Sequence, residues 1–127
     1  MTQEDKELLQ KDLCARLPYA AKVFYEYIDD LDKKTYGYSL TLNTWCINEF
    51  NADKAVVKPY IRSMSSITEE EKEEYKDLLY CVKYAVDTVF TVNMLTDWLN
   101  AHHFDYRGLI PKGLAIEVTK ENNPYKE

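Results

Sequence analysis

The sequence predicts an α+β fold: a small antiparallel sheet of about four to five strands packed against about three helices. Three observations carry this. A capped, leucine-striped segment opens the chain, a block rich in branched and aromatic residues with period-two alternation follows, and helical periodicity returns after Thr68. The 127 residues, 46% hydrophobic and 30% charged, suit one domain over 1–127: too few for two and too apolar for disorder.

The first helix is predicted over 3–16, with Thr2 as N-cap and Glu4 and Asp5 in the first turn, where the helix dipole favours acids. Leu9, Leu13 and Leu17 recur every fourth residue as the core stripe, and Leu8 falls to its edge. Pro18 ends the helix, because the residue before a proline is pushed out of the helical region. Strands are predicted over 23–28 and 36–42, where Tyr36, Tyr38, Leu40 and Leu42 alternate with smaller polar residues. Third and fourth strands are predicted over 45–50 and 55–58, the last stopping at Pro59. Thr68 followed three residues later by Glu71 is a capping box and opens a helix over 69–86. On a helical wheel Tyr75, Leu78, Leu79, Val82, Ala85, Val86 and Val89 share one face. The branched run 86–92 weakens that helix, and a further one is predicted from near Asn93 to near His103. Residues 104–113, with two glycines and a proline, read as turns, 114–118 as a last strand and 119–127 as a fraying tail.

Composition narrows the function classes. Three glycines leave no glycine-rich phosphate loop, and a net charge of -6 gives no general attraction to nucleic acid or anionic membranes. The charged start from Met1 to Lys6 lacks an apolar signal region, and no apolar run approaches the roughly 18 residues of a membrane helix. A cytoplasmic protein with no membrane contact is therefore expected. Cys14, Cys46 and Cys81 are more than thirty positions apart and read as free, buried thiols, without a CxxC site. No metal or other cofactor is implied.

His102, His103 and Asp105 form the one segment that suggests metal or acid–base chemistry. Adjacent helical residues diverge by about 100°, however, so the two rings do not converge on one ion. Leu95, Trp98, Leu99 and His102 share a stripe, which predicts a packed core imidazole at His102, with His103 meeting the last carbonyls of its helix. Tyr106 and Arg107 could hold a phosphate or carboxylate; a structural brace by Arg107 onto neighbouring carbonyls or an acid such as Asp105 is the expected role. Together His102, His103, Asp105, Tyr106 and Arg107 make the alternative ligand site. No paired acids, activated cysteine or serine-nucleophile motif marks a catalytic residue.

Tyrosine is over-represented, with 11 copies. Tyr80 and Tyr84 fall opposite the apolar stripe of the long helix, beside Glu73 and Asp77. Exposed aromatics among acids suit a protein-contact surface for a basic partner, and nucleic acid is disfavoured. The leading expectation is a non-enzymatic protein acting through protein–protein contacts, with a homodimer compatible with this reading.

Three blocks, Lys11 to Tyr19 (KDLCARLPY), Lys58 to Ser66 (KPYIRSMSS) and Asp97 to Ile110 (DWLNAHHFDYRGLI), resemble a group of small proteins of gut bacteria and their phages or other mobile elements. In that group LPY is usually followed by Gly, where Ala20 stands here, and an acid often occupies the position of Pro111. The resemblance implies a cytoplasmic setting and an accessory role on a mobile element. It brings no activity with it.

Overall fold

The computed structural model describes residues 1–126. Helix α1 (Gln3–Arg16) starts as expected, with the Thr2 hydroxyl accepting from the Asp5 N–H at 3.0 Å. Leu9 and Leu13 are fully buried, while Leu17 and Leu8 pack partly against the same core. A 3₁₀ turn at Leu17–Tyr19 carries Pro18, and Ala20 then adopts a left-handed φ of 54°.

Strand β1 (Lys22–Ile28) is central. It pairs antiparallel with β2 (Thr35–Thr41), Tyr25 facing Tyr38, and antiparallel with β3 (Ala55–Ile61), Tyr25 facing Val57. A two-residue β4 (Ile116–Glu117) runs parallel to β3, giving the order β2-β1-β3-β4. The α+β class and the number of strands agree with the sequence reading, but the sheet is mixed rather than wholly antiparallel. Two helices separate β3 from β4, and such a long crossover lets a strand return parallel. Alternation sends Val23 and Tyr25 into the core and leaves Phe24 on the opposite face, where any side chain at Gly37 would run into its ring.

The strand expected over 45–50 is instead helix α2 (Thr44–Asn51). The Asn43 side chain caps it by accepting from the Cys46 N–H at 3.0 Å, and the buried residues Cys46, Ile47 and Phe50 follow helical spacing. Strand β3 also passes through Pro59 instead of stopping there. Only Tyr60 and Ile61 pair with β4, so Pro59 lies beside an open sheet edge where a missing N–H is tolerated. Leu9, Leu13, Val23, Phe50, Val57 and Ile61 belong to the one core cluster between the sheet and α1 and α2.

The capping box forms as the sequence implies and opens α3 (Glu69–Tyr84). The helix stops at Tyr84 because Ala85 turns extended, with ψ 142°. Asp87 then caps α4 (Thr88–Ala101), accepting from the Phe90 N–H at 3.0 Å. The last helix therefore begins about five residues earlier than expected, making four α-helices in all among the described residues. The break at Ala85 also removes Val86 and Val89 from the expected stripe: they are 106% and 72% exposed, and Leu79 is 42% exposed. Helix α3 buries no residue, and α4 buries only Leu99 and Asn100 at its C-terminal end. The α3–α4 hairpin is thus joined to the body at its base and uncovered toward its tip.

The segment after Thr119 has no regular structure but is not free. The Tyr125 hydroxyl accepts from the Lys22 N–H at 2.8 Å and donates to the Tyr60 carbonyl at 2.9 Å. The expected fraying is corrected to this extent: a tyrosine pins the tail across two strands, while Glu127 lies outside the described residues. No helix among the described residues is long and apolar enough to cross a membrane.

Candidate functional site

The segment from Asn100 to Ile110 is the meeting point of elements far apart in sequence. Asp12 and Arg16 lie on the same face of α1 as Leu9 and Leu13, and both are fully buried. Arg16 Nε donates to Asp12 at 2.8 Å and its Nη2 to the Phe104 carbonyl at 2.6 Å. Arg107 completes the group, donating from Nη1 to Asp12 at 2.9 Å and to the Tyr106 hydroxyl at 2.7 Å. Tyr106 in turn donates to Asn100 at 2.8 Å. The expected brace by Arg107 is present, but its acid is Asp12 on α1, not the neighbouring Asp105. Asp105 accepts from the Leu109 and Ile110 N–H groups at 2.9 and 3.0 Å and so closes the glycine turn.

Arg62 makes a second junction. Its guanidinium forms a bidentate pair with Glu71 at 2.7 and 2.8 Å and lies 4.3 Å from the Phe104 ring centroid. The hydrogen bonds from Arg62 hold the Glu71 carboxyl at about 2, against an ordinary 4.5. Arg62 therefore ties the first turn of α3 to the end of α4. The same corner is reinforced where the Trp98 indole N–H donates to Glu74 at 2.8 Å.

Helix α4 ends at Ala101, so neither histidine ring is placed by the helical wheel, and the two differ in their surroundings. His102 is half-buried rather than in the core: its ring packs at a tilt against Trp98, 4.3 Å between centroids, and its Nδ1 lies 2.9 Å from the Trp98 carbonyl. His103 takes φ 61° just past the helix end, where its N–H bonds to the Asn100 carbonyl and that of Phe104 to the Leu99 carbonyl. This is a left-handed helix stop that glycine usually occupies. The His103 ring stacks on Tyr125 at 3.9 Å. Burial first, then the charges of Arg16, Arg62 and His102, push its imidazole down to about 4.

Both rings line a cleft of about 450 Å³ together with Arg62, Ser66, Thr68 and Tyr125. Asp105, Tyr106 and Arg107 do not line it, so the structure brings two of the five alternative-site residues to one surface and spends the other three on internal bonds. Among the described residues two buried side-chain nitrogens lack a partner, Arg16 Nη1 and His103 Nδ1, and of the two residues only His103 lines the cleft. Among the described residues no group of three or more His, Cys, Asp and Glu could hold a metal ion. The three thiols are free, but only Cys46 is buried, where burial raises its pKa; Cys14 and Cys81 are exposed, contrary to expectation.

Tyr80 and Tyr84 are where the wheel puts them. They are 65% and 62% exposed, and their rings contact each other at 4.6 Å between centroids, with Lys83 over Tyr84. Glu73 and Asp77 are exposed on the same helix. Sequence reasoning missed the uncovered apolar side of α4, where Phe90 is 62% and Met94 41% exposed. The Asp87 cap was the signal that extends the helix back to include them. It also missed Asp12 and Arg16, although their spacing puts them on the leucine face. Comparisons with protein-family models, curated proteins and solved structures return no match.

Proposed function

We propose that this chain is a non-enzymatic, cytoplasmic interaction protein whose outer α3 face receives a basic polypeptide. The observation that carries the reading is the exposed Tyr80–Tyr84 pair, its rings in tilted contact at 4.6 Å, on a helix with six acids and three lysines. Aromatic rings supply contact area at low entropic cost, and the acids steer a cationic partner. The resemblance of the three sequence blocks supports an accessory role on a mobile element. Retention of a basic partner by immobilised protein tests this. The double variant Tyr80→Ala with Tyr84→Ala loses that partner, and added salt weakens retention by the native chain. A double variant that stays folded and retains the partner undiminished removes the proposal.

A second reading has one observation in its favour, the cleft beside His102 and His103 with its partnerless Nδ1. A small ligand there would shift the imidazole resonances of both histidines in a fragment titration. Unchanged resonances across a diverse set dismiss it.

A further inference from the structure

We infer that the charge-free side of α4 is a self-association surface, on which the hairpin of a second copy of this chain packs about a two-fold axis. From Thr88 to Thr96 the helix carries no ionisable residue, while the chain as a whole has a net charge of -6. Two identical acidic chains repel wherever their acids face each other, and this stretch is a surface on which they meet without opposition. A cationic partner is steered to α3 instead.

The geometry suits the same occupant. Thr91, Leu95 and Trp98 recur at helical spacing as the seam toward α3 and are partly buried. Phe90 and Met94, four residues apart, form an exposed ridge beside that seam. A ridge of this kind is self-complementary when two copies cross antiparallel, as an isologous interface requires. Two hairpins joined in this way make a four-helix bundle.

The area agrees. Val86 at the turn and Val89, Phe90 and Met94 on the outward side of the helix leave on the order of 500 Å² uncovered, within the upper range of what a monomer usually exposes in one patch. With neighbouring Thr88 and Asn93 as a polar rim, it approaches the roughly 800 Å² per partner of a stable interface.

Sedimentation equilibrium of the full chain across a micromolar range tests the inference. The native protein should give twice its 15.0 kDa chain mass. Phe90→Glu with Met94→Glu should give the single-chain mass with an unchanged helical spectrum, since both positions are exposed within one chain. Mixing it with Phe90→Lys and Met94→Lys should restore the doubled mass. A native protein that stays at the single-chain mass overturns the inference, and binding of that monomer to neutral lipid vesicles would assign the ridge to a membrane. A glutamate variant that keeps the doubled mass overturns it as well, and Phe90→Lys with Met94→Lys, which by itself should also give the single-chain mass, decides should the glutamate variant misfold. Tyr80→Ala with Tyr84→Ala should leave the doubled mass intact, so this inference and the α3 reading fail independently.

Discussion

His103 ties folding to pH, and the size of the effect follows from its surroundings. The ring lies under Tyr125 with Arg16 and Arg62 near enough to oppose its charge, so the folded chain refuses a proton until about pH 4. An unfolded chain takes that proton near the ordinary 6.5. Between these values the unfolded state binds more protons, so stability rises with pH. The contribution is complete above 6.5 and is lost as pH falls toward 4, amounting to about 1–2 kcal/mol over the window once the partial access of solvent to the ring is allowed for.

The perturbation is His103→Asn. Asparagine tolerates the left-handed backbone of the site but does not titrate. Loss of the stack on Tyr125 lowers stability by an amount independent of pH. Urea denaturation of both proteins from pH 7.5 to 4 then gives curves that converge on acidification, because only the native chain loses the histidine contribution. Glu71 does not confuse the comparison: its carboxyl is held at about 2 against an ordinary 4.5, so its contribution is lost below pH 4.5 and equally in both proteins. Parallel curves between pH 6.5 and 4.5 would refute the argument that burial and the two arginines keep this ring neutral.

Asp12→Ala removes the only side-chain acceptor that Arg16, fully buried, has among the described residues, and the uncompensated charge should lower stability by about 3–5 kcal/mol; an unfolding free energy from urea denaturation lowered by less than about 1 kcal/mol contradicts that. Ala20→Gly should stabilise by roughly 0.5–1 kcal/mol, since Ala20 is exposed and holds a φ of 54° that strains a Cβ. An unchanged or lower melting temperature would count against strain at that turn.

Local chemistry explains which parts of the fold were legible in the sequence. Helix α1 and the start of α3 were read to the residue because Thr2, Pro18 and the Thr68–Glu71 box act within one turn of themselves. Helix α2 was misread because Trp45, Ile47 and Phe50 favour strands individually, while the helical cap at Asn43 and the burial of Cys46, Ile47 and Phe50 outweigh that preference. The same conflict hid the first half of α4, where four branched residues, Thr88, Val89, Thr91 and Val92, follow the Asp87 cap. The junction of Asp12 with Arg107 spans 95 residues and had no local signature at all. Its α1 half did carry a local pattern, two charges set among core leucines, which the sequence reading missed.

The exposed hairpin follows from the same separation of local and distant forces. Helices of 16 and 14 residues are marginal in water by themselves, and α3 buries nothing to compensate. Its order comes from the capping box, the Arg62–Glu71 pair, the stack of Tyr75 on Trp98 at 5.7 Å, and the seam with α4. The anchors at Arg62, Glu71, Glu74 and Trp98 all lie at the base, and the uncovered residues Tyr84, Val86, Val89 and Phe90 lie at or beside the turn. Stability therefore falls from base to tip, while uncovered apolar area rises in the same direction. A chain that met only water there would gain from polar residues at the tip. Valine and phenylalanine in those places make sense as contact surface, because covering them adds stability where the isolated hairpin has least.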